Sequence, residues 1–153
     1  MQDTQMKTMK TGLLVFTALT VFSGRAMAAD LPSALVDPYL QVQVALADDQ
    51  FNGVATHAQA IEKAAAALGT DADGVVAGAK KLAAAKDIAA ARTAFGEVSA
   101  ALAAYAEKTK SGFGAGVRLA YCPMADKPWL TKDKDIRNPY YGKSMLTCGS
   151  FKN

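Results

Sequence analysis

Two cysteines occur in the 153-residue chain, Cys122 and Cys148, and each has a methionine close by. Cys122-Pro123-Met124 puts a thiol and a thioether two residues apart, on one side of any extended segment. Met145 and Cys148 are three apart, close enough to meet within one helical turn or a tight loop. Soft thiolate and thioether donors select Cu(I), whereas zinc wants four Cys, His or carboxylate ligands. Neither C-x-x-C nor C-x-x-C-H occurs, which removes the usual redox and c-type haem signatures. The single histidine, His57, is a further candidate, because imidazole often serves copper. The competing chemistry is a disulfide between Cys122 and Cys148. It would close a loop of about 25 residues, stabilise the fold by ~3 kcal/mol, and leave Met124 and Met145 as adaptable packing residues. Residue types alone leave both readings open.

The compartment bears on that choice. Lys7 and Lys10 precede an uncharged apolar run, TGLLVFTALTVF (11–22), and Ala26-Met27-Ala28 follows. This is the order of a secretory signal peptide, which predicts cleavage before Ala29 and export to a periplasm. The apolar run is far short of the ~20 residues that span a bilayer, so no membrane insertion is expected after cleavage. Lys7, Lys10 and Arg25 against Asp3 put +2 of the formal +3 charge in this leader, so the remainder carries +1. No basic stripe is left to argue for nucleic acid or an anionic membrane surface. Residues 29–153 suit one domain with its own core. An oxidising compartment permits disulfides.

The elements that must position these residues fall into two parts. Residues 34–108 are alanine-rich and read as helix. Asp37 with Pro38 fits a helix start, and Leu35, Tyr39, Val42 and Leu46 repeat at spacings of four, three and four. Asp48-Asp49 is expected to cap a second helix carrying Phe51, Val54, Ala58, Ile61, Ala65 and Leu68, with His57 on the flank of that seam, able to face a docked tail. Thr70 and Asp73 resemble a capping box before a short helix with Val75, Ala79 and Leu82. Asp87 caps a last helix with Ile88, Ala91, Phe95, Val98, Leu102 and Tyr105 on one face. Narrow stripes and short loops predict a mainly α fold, an up-down four-helix bundle with one short helix.

The tail differs. SGFGAG (111–116) is a flexible joint, and residues 117–122 alternate with the strand period of two. Pro123 and Pro128 are expected to break regular structure, and Asn138-Pro139 signals a turn. A final extended piece, about 145–151, is expected to pair with 117–122 as a β-hairpin. Trp129, Tyr140 and Tyr141 are the residues expected to dock this tail, roughly 117–151, on the helices.

YCPMA (121–125), WL (129–130), NPYYG (138–142) and MLTCG (145–149), following an alanine-rich helical segment, resemble the domain of unknown function 3347 family. The likeness covers roughly residues 33–151, and its tail motifs are the specific part. Members occur as small exported proteins and as a C-terminal extension of CusB-like adaptors of heavy-metal efflux pumps. The resemblance implies periplasmic handling of copper or a related soft metal, with the site on Cys122, Met124, Met145 and Cys148 and a weaker assignment for His57. It also implies an efflux adaptor or a copper acceptor protein as partner. The alternative is a disulfide-stapled, non-metal interaction module associated with an adaptor. One histidine, no nucleophile–base constellation and no glycine-rich phosphate loop speak against an enzyme.

Overall fold

The computed structural model describes residues 29–152, so the leader expected over 1–28 lies outside the described residues. The fold is mainly helical: α1 (Ser33–Ala47), α2 (Val54–Ala66), α3 (Asp73–Ala83) and α4 (Ile88–Thr109), then β1 (Arg118–Cys122), β2 (Lys127–Thr131) and β3 (Ser150–Phe151). Each helix packs on the next in sequence. Short loops leave successive helices no other close neighbour to choose. The buried faces are those the spacing marks: Leu35, Tyr39, Val42 and Leu46 on α1, Val54, Ala58, Ile61 and Ala65 on α2, Val75, Ala79 and Leu82 on α3. On α4 Ala91, Phe95, Val98 and Leu102 are buried, joined by Ser99 and Ala106. Small residues bring the helices close. A Cβ on Gly78 of α3 would lie 3.0 Å from the backbone nitrogen of Val98 on α4.

The helix ends depart from expectation in three places. α1 begins at Ser33, behind Pro32, so Pro38 lies inside the helix and Asp37 caps nothing. A proline this near the start forfeits one intrahelical bond, while Leu31, Leu35 and Val36, all buried, hold the early turn. Asp48 and Asp49 do not cap α2, which starts behind a left-handed Gly53 without a side-chain cap. Their carboxylates are taken by guanidiniums instead, Asp48 by Arg137 and Asp49 by Arg92 at 2.6 Å. Thr70 and Asp73 form no capping box, since α3 follows a 3-10 turn at Thr70–Ala72 and has no side-chain cap. Asp87 does cap α4, accepting the Ala90 N–H at 2.8 Å.

The three strands form an antiparallel sheet in the order β2-β1-β3. β1 pairs first with β2, through a turn at residues 123–126, with Ala120 opposite Trp129 and Cys122 opposite Lys127. The expected pairing with the last segment is confined to Ala120↔Phe151 and Tyr121↔Ser150. Pro128 does not break the strand. It sits in β2, at the sheet's edge, where a missing N–H costs no ladder bond.

β2 rests on both α4 and α1, and Tyr39 makes the joint. Its hydroxyl shares a 2.6 Å hydrogen bond with Ser99 on α4 and accepts the Leu130 N–H of β2 at 3.1 Å. Its ring lies 4.8 Å from that of Phe95. Burial pushes this phenol far above its ordinary pKa. Tyr39→Phe keeps the ring and strands two buried polar groups, so we expect a loss of ~1–3 kcal/mol in urea unfolding. An unchanged midpoint would remove the hydroxyl from any structural role.

Candidate functional site

Cys122 ends β1 and is fully buried, facing the core that Trp129 and Leu130 complete. Cys148 comes from the loop between the 3-10 turn Gly142–Ser144 and β3, and is half-buried. Both are free thiols, and their sulfurs lie 3.9 Å apart, well beyond the ~2.05 Å of a disulfide bond. Cys122 Sγ also accepts the Ala125 N–H at 3.4 Å, a bond made by the hairpin turn folding back over the strand end. With the ~2.3 Å of a zinc–thiolate bond as a scale, one soft ion can touch both sulfurs without moving either. A linear arrangement would need ~4.6 Å, so such an ion lies off the sulfur–sulfur line, with one side open to a third ligand.

The other expected ligands are placed less uniformly. Met145 is one turn from Cys148, whose N–H bonds to Met145 O at 3.0 Å, so the three-residue spacing does make a tight loop. Its side chain is 37% exposed. Met124 is 63% exposed, while Cys122 is 0% exposed. The same-side expectation fails for this pair because the strand ends at Cys122 and Met124 occupies the turn. His57 is not brought to the thiols. It lies half-buried on α2, which borders α1 and α3, whereas β2 rests on α1 and α4. Among the described residues no group of three His, Cys, Asp or Glu side chains is assembled.

The aromatic residues of the tail lie against the helices. Trp129 is fully buried, edge-on to Tyr140 at 6.0 Å, and Tyr140 lies 6.1 Å from Phe95 of α4. Tyr140 also donates to Pro128 O, and Tyr141 is partly buried beside it. Two residues with no ligand chemistry of their own shape the site. Gly149 has φ +135, and a Cβ there would lie 2.7 Å from Trp129 Cη2 and 2.9 Å from Tyr121 O. It lets the chain slip between the indole and β1 immediately after Cys148. Asn138, read from the sequence as a turn signal, is fully buried and donates to Cys148 O at 2.6 Å. Only the Pro139-Tyr140-Tyr141 run that follows it hints at burial, and no local signal marks its bond to Cys148.

Neither a scan against family models nor searches of curated proteins and solved structures return a match to this chain.

The surroundings of Cys148 favour its protonated thiol in the metal-free state. Desolvation, reinforced by the bond to Cys122 and by that sulfur's charge when ionised, raises the Cys148 pKa. The folded state thus holds a proton that the unfolded chain releases near pH 8.5. The associated stability is complete below that pH and declines as pH rises through it. We expect the urea midpoint of the reduced protein to fall from pH 7.5 to about 9.5, less steeply in Cys148→Ala; parallel profiles would remove this thiol as the cause. Gly149→Ala should cost more than the ~1 kcal/mol of an ordinary glycine effect, since strain and overlap add. A folded variant of wild-type stability would mean that the close approach is dispensable.

Proposed function

We propose that this chain is a periplasmic protein that binds Cu(I), or another soft metal ion, in copper resistance, buffering or delivery to an efflux system. One observation carries the reading: two free thiols, 26 residues apart in sequence, with their sulfurs 3.9 Å apart at one end of a docked sheet. Paired thiolates are the donors that select Cu(I) over harder ions. Cys122 is the buried ligand and Cys148 the accessible one. Met145 and Met124, both exposed, are the thioethers available to complete the shell from the solvent side. The likeness of the tail motifs to the domain 3347 family supports the same assignment, as the signal-like leader supports export.

In this reading the four helices act as an up-down bundle, one helix short, whose task is to hold the sheet. The partners are the metal ion and a copper acceptor or efflux adaptor. The protein has no catalytic role. A half-exposed Cys148 suits hand-off, because an incoming ligand can displace it while Cys122 still holds the ion.

A second reading has its own support, since sulfurs this close need little movement to join as a disulfide. Native mass spectrometry of the protein made by periplasmic export, before and after anaerobic addition of Cu(I), separates the two. The metal reading expects one tightly held copper with two protons displaced, and an affinity that falls as pH drops. Cys122→Ser or Cys148→Ser should lose more than the ~100-fold that removing a supporting neighbour costs. Protein lighter by two hydrogens, taking no copper even after reduction, would establish the staple instead.

A further inference from the structure

Asn138 is fully buried, and its four backbone and side-chain polar groups all bond within one loop. Its backbone N–H donates to Leu146 O at 2.8 Å, and Nδ2 donates to Cys148 O at 2.6 Å. Oδ1 accepts the Tyr140 N–H at 2.8 Å, and the backbone oxygen accepts the Gly142 N–H at 3.1 Å. Both arms of the loop, 140–142 and 146–148, are thus tied to a single residue. On the far side of Cys148, β3 holds Ser150 opposite Tyr121, the neighbour of Cys122. On the near side the tie is the Asn138 amide.

We propose that Asn138 is the positioning residue of the thiol pair, fixing Cys148 opposite Cys122 through the Cys148 carbonyl. This rests on the reading of the two cysteines as the working pair, yet it does not require copper. A buried amide with its partners all in place is rigid, because breaking any one bond strands a polar group away from water. Cys148 is only half-buried, so packing alone holds it loosely. The amide supplies the order that burial does not, and two sulfurs held at one separation bind an ion without first being gathered.

The experiment equilibrates the exported, reduced protein anaerobically with oxidised and reduced glutathione. The Cys122–Cys148 bond forms as the glutathione disulfide breaks, and two electrons and two protons pass to yield two reduced glutathione molecules. The equilibrium ratio reports how effectively each thiol sees the other. Asn138→Ser loses the reach to Cys148 but keeps an oxygen able to accept the N–H two residues on. We expect its effective thiol concentration to fall by about tenfold or more, a shift of ~30 mV per tenfold. Asn138→Asp matches the amide in size, keeps the Tyr140 bond and lacks the donor, so it should shift in the same direction. Ile61→Val thins the core at α2, which packs on α1 and α3 and not on the loop, and should stay within about twofold of wild type.

A folded Asn138 variant with the wild-type ratio would overturn the proposal, as would an equal shift in Ile61→Val. Copper uptake by the unmutated protein is read separately. No uptake together with a shifted ratio refutes the metal reading and leaves the positioning role standing. Uptake together with unshifted ratios in both Asn138 variants does the reverse.

Discussion

The hydroxyl of Tyr39 is the point where the helical and β parts of the molecule become one structure. The sheet is small: β3 has two residues, and β1 and β2 have five each. A unit of this size does not persist alone in water. β2 must be laid across α1 and α4, and doing so buries the Leu130 N–H away from any strand partner. Tyr39 accepts that N–H and reaches Ser99 with the same oxygen, so burial of the strand leaves neither group unpaired. The apolar contacts of Trp129, Leu130, Phe95 and Tyr140 then contribute, against the cost of one buried indole N–H, that of Trp129, left without a partner among the described residues.

From that joint the thiol pair follows in two steps. Docking β2 fixes β1 by register, and the end of β1 is Cys122. The long loop that returns to β3 must then be pinned, and charged pairs do so at its borders. Arg92 reaches Leu46 O, Asp49 and Pro139 O, while Arg137 reaches Asp48. Part-buried guanidiniums spread over several acceptors hold more firmly than surface ion pairs. The beginning of the loop is thereby fastened to the end of α1 and to α4, and Asn138 carries that fixity on to Cys148. A site with one buried and one accessible thiol is the product.

Much of this was legible in the chain, and the boundary between legible and illegible is physical. The seams of all four helices could be read because a three-four spacing is a local property; most of those residues are buried, while Ile88, Tyr105 and, beyond the ends of α2, Phe51 and Leu68 are only partly so. The Asp87 cap could be read for the same reason, its acceptor and donor being three residues apart. Asp48 and Asp49 carry an equally good capping signal, but their partners are 89 and 43 residues away. No local rule anticipates such competition. Pro128 looked like a breaker because its edge position depends on where β1 and α4 lie. At the site, the residue types singled out the two cysteines and the three-residue loop from Met145 to Cys148. They did not reveal that Met124 turns to solvent or that α2 carries His57 to a face away from the sheet. Those are facts of packing order, set by which helix receives the strand.

The seat of Trp129 has an optical consequence. It is the one tryptophan of the chain, fully buried, with its six-membered ring against Gly149 and its indole N–H without a hydrogen-bond partner among the described residues. An indole so enclosed emits as in an apolar solvent. The chain immediately after Cys148 passes against this ring, so the indole and the thiol loop share a wall. The molecule therefore carries a single native fluorophore whose surroundings include the loop that bears Cys148.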